Sequence, residues 1–181
     1  MLPVLGVASE RTPLAPRGRC GAAASRAILE GMNAPAPRRL PLLALLGLAL
    51  LGIPRVVLHD LDLLHEGTAV NMLFVAVPPL VWIAVAVWRR VDRPFTTLLL
   101  VGLLHGAMLV LAHQLLWNAA FDGAPPRLGG NLADLDPALQ AVILRAASVP
   151  SGLVTGALLG AVTGAVAWVL SRWRRDPLRA R

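Results

Sequence analysis

The chain contains 181 residues, of which 56% are hydrophobic and 15% are charged, and its mean hydropathy is +0.67. Ordinary soluble domains carry about 25% charged residues, so this composition argues against a soluble domain and favours an integral membrane protein. All 17 basic residues are arginines, and the net charge is +7. Because these arginines flank apolar runs, we attribute the charge to membrane topology and expect the lipid bilayer, and no nucleic acid, as a partner.

The first 37 residues differ in composition from the rest of the chain. They are rich in Arg, Pro, Gly and Ala, and they lack both helical periodicity and an apolar core long enough for a secretory signal. We expect residues 1–37 to be disordered. Met32 offers an alternative start shortly before the first apolar run, so an over-extended gene prediction is the other interpretation of the segment that precedes it.

Four apolar segments follow, each close to the roughly 20 residues that a helix needs to cross the hydrocarbon core of a bilayer. They cover approximately residues 40–58, 68–88, 95–117 and 149–170. Pro78 and Pro79 fall in the middle of the second segment, where they remove backbone donors and are expected to kink the helix without ending it. The sequence therefore predicts an all-α, polytopic membrane domain of four transmembrane helices over residues 38–175.

The arginines are unevenly divided between the connecting segments. They precede the first span, fill the link between the second and third spans and follow the fourth, at Arg38, Arg39, Arg89, Arg90, Arg93, Arg172, Arg174, Arg175, Arg179 and Arg181. The positive-inside rule then predicts that both termini are cytoplasmic, with residues 176–181 as a basic tail and residues 118–148 on the outer side. The heavy use of Ala, Leu, Arg, Gly and Pro is typical of a GC-rich genome, and the expected location is a bacterial inner membrane.

The connection between the third and fourth spans, residues 118–148, is long enough to hold structure of its own. Asp136 can cap a helix that begins at Pro137, and apolar residues recur after it at helical spacing. This pattern predicts a short amphipathic helix at the outer surface before the last span. Pro150 is expected to turn the chain from that helix into the span.

Glycines recur at every fourth position of the last span, at Gly152, Gly156, Gly160 and Gly164. In a soluble helix each glycine costs about 1 kcal/mol relative to alanine, whereas in a membrane small residues let two helix backbones approach closely. The spacing therefore predicts a helix-packing groove, or glycine zipper. Gly102 and Gly106 in the third span form a matching pair, and a second copy of the chain is the alternative partner for the groove.

Polar side chains within the spans are costly in lipid and therefore indicate a role. Under the predicted topology these side chains share the outer half of the bilayer. The candidate ligand-binding residues are Arg55, His59, Asn71, His113 and Gln114. One interpretation is structural, with the polar groups satisfying one another between helices. Another is a site for a small solute or anion in a transporter or sensor, where Arg55 supplies the positive charge.

The third interpretation of these polar residues is a metal or haem site, because imidazole and carboxylate groups suit zinc or iron. The candidate ligands are His59, His65 and His113. Their spacing matches no metal motif such as His-Glu-x-x-His, so this interpretation is the least favoured and no cofactor is predicted.

The sequence contains no Gly-x-Ser-x-Gly motif, no pair of intramembrane carboxylates and no Cys/His arrangement suited to nucleophilic catalysis. We therefore expect a non-enzymatic membrane component that packs against itself or against a partner membrane protein. A transporter or sensor of small solutes or anions is the alternative.

Overall fold

The computed structural model describes residues 38–175, and these residues form helices joined by turns and loops, with no strand among them. The helices are α1 (Leu42–Leu50), α2 (Ile53–Asp60), α3 (Ala69–Trp88), α4 (Pro94–Ala120) and α5 (Pro137–Arg175), with a short 3-10 helix at Gly130–Leu132. The predicted disordered segment 1–37 and the predicted basic tail 176–181 lie outside the described residues.

Four helical stretches are long and apolar enough to cross a membrane. They are Leu42–Asp60, which joins α1 and α2, Ala69–Trp88, Pro94–Ala120 and Pro137–Arg174. Many of their exposed side chains are leucine and valine, as expected for surfaces that face lipid. The predicted all-α fold with four spans is therefore confirmed, and the chain has the architecture of a multi-pass membrane protein.

Helix α4 lies at the centre of the bundle. It packs against α5 over the most extensive contact in the structure, and it also contacts both α1 and α2. Helix α3 packs mainly against α5. The spans therefore follow one another around the bundle as first, third, fourth and second.

The first span is broken into α1 and α2 near its middle. Pro54 has no N–H with which to bond the carbonyl of Leu50, and α1 ends at Leu50 while α2 begins at Ile53. Two side chains from other spans bond carbonyls just before this break. Trp82 Nε1 donates to the Leu48 carbonyl at 2.7 Å, and His105 Nδ1 lies 2.9 Å from the Ala49 carbonyl. Neighbouring helices thus satisfy backbone acceptors at a break inside the bundle.

The last span is part of one continuous helix of 39 residues, Pro137–Arg175. The segment expected to form a short separate helix is helical, but it continues directly into the span, and Pro150 does not turn the chain. A proline removes a single helical donor, a loss that helices in membranes tolerate. At 1.5 Å per residue the helix is about 58 Å long, against about 30 Å for the hydrocarbon core, so α5 extends beyond the bilayer or tilts strongly within it.

We call the end of the bundle that holds Arg38, Arg93 and Arg174 the arginine end, and the opposite end, which holds Asp60 and residues 118–136, the loop end. At the arginine end, the backbone N–H of Arg38 donates to Asp92 Oδ2 at 2.6 Å. Arg174 Nη1 donates to the carbonyl of Val87 at 3.2 Å. The first bond joins the segment before the first span to the link between the second and third spans, and the second joins the end of α5 to the end of α3.

A tightly packed apolar core fills the half of the bundle nearest the arginine end. Its largest fully buried side chains are Trp82, Leu98 and Val101. The complete buried cluster is Leu45, Leu48, Ala49, Trp82, Ala86, Leu98, Val101 and Ala167. All four spans contribute to it, so this half holds the spans together.

Candidate functional site

Glycines of α4 and α5 face one another along the contact between these two helices. A Cβ added at Gly102 would lie 2.6 Å from Gly160 Cα, and one added at Gly156 would lie 2.6 Å from Gly106 Cα. A Cβ at Gly106 would lie 2.7 Å from the Gly152 carbonyl oxygen. Real Cβ atoms do not approach backbone so closely, so at these positions the two backbones touch directly.

The two outer positions of the glycine series have different surroundings. A Cβ at Gly164 would lie 2.8 Å from the Phe95 carbonyl oxygen, so the backbone contact extends toward the arginine end. At Gly152 the nearest atom is Val110 Cγ2, at 2.6 Å, which belongs to a side chain. The glycine edge of α5 is therefore covered by α4 of the same chain over its whole length.

A cavity of about 530 Å³ lies on the loop-end side of the apolar core. All four spans line it: Arg55 comes from α2, Phe74 from α3, His105 and His113 from α4, and Ser151 from α5. Ligand sites commonly have volumes of about 300–1,000 Å³, with apolar walls and a few converging polar groups. The cavity is therefore the candidate site, and it brings together two of the predicted ligand-binding residues, Arg55 and His113.

Arg55 projects from α2 toward the second span. Its Nε donates to Asn71 Oδ1 at 2.9 Å, and the backbone N–H of Asn71 donates to the N-cap hydroxyl of Thr68 at 3.2 Å. Asn71 is itself buried. No carboxylate of residues 38–175 lies within ion-pairing distance of Arg55, so its positive charge lines the cavity without a protein counter-charge.

His113 is tied to the end of α2. Its Nδ1 lies 2.7 Å from Oδ2 of Asp60, a carboxylate that is 5% exposed. The other carboxylate oxygen of Asp60 lies 3.8 Å from His59 Nδ1, and His59 Nε2 lies 3.5 Å from Glu66 Oε1. His59, a predicted ligand-binding residue, thus lies beside this cluster and not in the wall of the cavity.

Gln114 joins α4 to the long last helix. Its Nε2 donates to the Arg145 carbonyl at 3.0 Å and to Ser148 Oγ at 2.9 Å. Ser148 lines the cavity, whereas Gln114 and Asn71 stand behind its wall. Of the five predicted ligand-binding residues, two therefore line the cavity, two hold its wall in place and one lies outside it.

The three histidines considered as metal ligands pair mainly with different carboxylates. His113 bonds Asp60, His59 lies nearest to Glu66, and His65 Nδ1 lies 3.5 Å from Asp62. Within residues 38–175, no group of three or more His, Cys, Asp or Glu side chains is arranged to hold a metal ion. The metal and haem interpretation therefore receives no support from the geometry of the described part of the chain.

His105 lines the cavity but was not among the residues predicted from the sequence. Its ring packs against Gly52, where an added Cβ would lie 2.6 Å from His105 Cε1. It also meets Trp82 edge to face, with ring centroids 5.6 Å apart. The sequence signal was the pair Gly52 and Pro54, because a break at this point leaves backbone carbonyls that need donors from other helices.

Comparison with protein-family models, curated proteins and solved structures finds no match to this chain. The residues that line the cavity define its chemistry. A fixed cation, two imidazoles and the hydroxyls of α5 can bind an anion that carries further polar groups.

Proposed function

We propose that this protein is a transporter or sensor of the bacterial inner membrane that binds a small organic anion in the four-span cavity. The observation that carries the proposal is the position of Arg55. A charged side chain within a span is expensive and as a rule faces a bundle interior or a cavity, where it pairs with other groups. Arg55 faces such a cavity, and Asn71 holds its Nε without neutralising it.

The shape of the cavity supports an organic anion over a bare inorganic ion. Side chains such as Val56, Phe74, Leu109 and Leu159 form apolar parts of its wall, and apolar walls favour a ligand with a hydrocarbon body. The volume of about 530 Å³ is also much larger than a single ion needs.

Binding of short carboxylates tests this proposal. Isothermal titration calorimetry on the full chain in detergent should show saturable binding of propionate, and Arg55→Gln should weaken that binding at least tenfold, because one charge-assisted hydrogen bond contributes about 1.5–3 kcal/mol. Arg127→Gln, which removes an exposed arginine from the loop at the same end, is the matched control and should bind as the wild type does. Equal binding by wild type and Arg55→Gln would overturn the proposal.

The orientation proposed for the chain places the arginine end in the cytoplasm and the cavity in the outer half of the bilayer. Arginines are enriched at cytoplasmic ends of spans, and the contacts of Arg38 and Arg174 bring three such segments together. Reporter fusions after residue 90 and after residue 175 should be active in the cytoplasm, and a fusion at residue 125 should be active outside. An exported reporter after residue 175 would reverse this orientation.

A membrane component that acts only by packing against itself or a partner is the second candidate function. The observation that favours it is the internal pairing of the polar residues: Arg55 bonds Asn71, and His113 bonds Asp60. Since the glycine edge of α5 is already covered by α4, such a partner would have to bind another surface. The same titration separates the two candidates, because a packing component has no carboxylate site.

A further inference from the structure

The polar groups of the cavity define what the anion must carry besides its charge. His105 is the first of these groups. Its Nδ1 lies 2.9 Å from the carbonyl oxygen of Ala49, which can only accept a hydrogen bond. Nδ1 therefore carries the hydrogen, and in the neutral imidazole the other nitrogen, Nε2, is an acceptor.

His113 repeats this arrangement nearer the loop end. The Asp60 carboxylate accepts from its Nδ1 at 2.7 Å, so the Nε2 of the neutral ring is again the acceptor. Both histidines line the cavity. Both rings are also anchored through one nitrogen, which fixes their orientation.

Backbone acceptors at the same cavity add to the two imidazoles. Pro78 and Pro79 have no N–H, so the carbonyls of Phe74 and Val75, four residues earlier, lose their helical donors. Phe74, Val75 and both prolines line the cavity.

Of the hydroxyls that line the cavity, those of Ser148 and Thr155 already donate to carbonyls of their own helix, at 2.8 and 2.9 Å, so towards a ligand they act as acceptors. Arg55 thus faces a site whose other polar groups are mainly acceptors.

An anion that carried only acceptors would satisfy Arg55 and leave these imidazole and carbonyl acceptors without partners. Desolvated acceptors without donors are costly, so the matching ligand also bears a hydrogen-bond donor. A hydroxyl suits the site better than an ammonium group, because an ammonium would lie near the positive charge of Arg55, while Asp60 is engaged by His113.

We propose that the anion bound in the cavity is a hydroxylated organic acid, with its carboxylate on Arg55 and its hydroxyl donating to His105 Nε2. This inference rests on the proposed function. Gly52, against which His105 packs, is the N-cap residue of α2, and Arg55 lies in the first turn of that helix. The groups that would hold the hydroxyl and the carboxylate therefore lie near one another at the start of α2, which favours a hydroxyl one or two carbons from the carboxylate.

Two matched pairs of acids test the inference on the full chain in detergent. Lactate is propionate with a hydroxyl on the carbon next to the carboxylate. In the second pair, 3-hydroxybutyrate is butyrate with a hydroxyl on the following carbon. In at least one pair the hydroxy acid should bind about tenfold more tightly, as expected for one added hydrogen bond to an otherwise unsatisfied acceptor. Alanine, which places an ammonium group where lactate has its hydroxyl, should bind more weakly than lactate.

His105→Asn identifies the acceptor. The asparagine amide can replace Nδ1 as the donor to the Ala49 carbonyl, but it has no counterpart of Nε2. The variant should therefore bind the hydroxy acid and its parent acid with equal affinity. His65→Asn is the control, since His65 is exposed and outside the cavity wall. If His105→Asn does not fold, the acid pairs on the wild type still decide the question.

The outcomes distinguish the two proposals. Equal binding within both acid pairs, with loss of both acids in Arg55→Gln, would overturn the hydroxyl inference and leave the anion site standing. Tighter binding of alanine than of lactate would also overturn it. If none of the five compounds binds, the anion site and this inference both fail.

Discussion

The two halves of the bundle hold the same four spans together in different ways. Near the arginine end, Trp82, Leu98 and Val101 are fully buried and the spans meet through apolar side chains. Near the loop end, the spans meet through polar pairs such as Arg55 with Asn71 around a cavity. The apolar half therefore stabilises the bundle, and this allows the other half to keep polar groups and an open cavity.

The boundary between the halves coincides with irregularities in two spans. The first span breaks before Ile53, and α3 contains the adjacent Pro78 and Pro79 at a similar depth. Gly52 and both prolines line the cavity. Helix breaks in membranes commonly mark binding sites, because they place backbone polar groups where a ligand can reach them. The break in the first span and the proline pair of the continuous helix α3 were both visible in the sequence, as glycine and proline.

The largest predicted effect concerns the close contact of α4 and α5. Gly102→Ala adds one methyl group where the backbone of Gly160 lies 2.6 Å away, so the helices must separate. Overpacking of this kind costs about 1–3 kcal/mol or more, although alanine is otherwise the better helix former. Thermal unfolding in detergent, followed by circular dichroism, should show a clear loss of stability.

Gly47→Ala is the matched control for this prediction. It makes the same change in α1, where an added Cβ meets no described atom within 4 Å, so stability should stay the same or rise slightly. If both variants unfold at the wild-type temperature, α4 and α5 do not touch at Gly102, and the described packing of the bundle is wrong.

A smaller effect is expected at the boundary between the halves. Trp82→Phe keeps an aromatic ring in the core but removes the N–H that donates to the Leu48 carbonyl at 2.7 Å. The Leu48 carbonyl also accepts from the Leu51 N–H at 3.2 Å and so keeps one donor. The loss of one hydrogen bond therefore costs about 0.5–1.5 kcal/mol. Trp173→Phe is the control, because Trp173 is 73% exposed. An equal melting temperature for both variants would show that the broken first span does not depend on Trp82.

The fold could be predicted well from the sequence because its signals are strong and local. Apolar runs near 20 residues locate membrane spans, and the structure has helices at all four. The exception was the last helix, where a continuous helix from Pro137 replaces the expected separate segment. The effect of Pro150 depends on packing around the helix, which local sequence does not record.

The candidate site was harder to predict because it depends on contacts between distant residues. Arg55 and His113 were identified because polar groups in a span stand out. His105 was not among the predicted residues, because its partner is a backbone carbonyl that only the broken first span reveals. The partners of the polar residues, such as Asp60 for His113, are 53 positions away in sequence and could not be read from spacing.

The smallest predicted effect lies beyond the cavity, in the loop before α5. Gln140 is 4% exposed and fastens this loop: its Oε1 accepts from the Leu128 N–H at 2.8 Å, and its Nε2 donates to the Ala133 and Leu135 carbonyls. Gln140→Leu keeps the size of the side chain but removes all three bonds.

Since a loop can open to water without unfolding the bundle, the melting temperature of Gln140→Leu should change by only a few degrees. Hydrogen exchange at the Leu128 amide should nevertheless accelerate at least tenfold, whereas Asn131→Leu, which replaces an exposed amide in the same loop, should leave that rate unchanged. Unaltered exchange in Gln140→Leu would mean that the loop is held by the bundle itself, and that the loop end is more rigid than its polar contacts indicate.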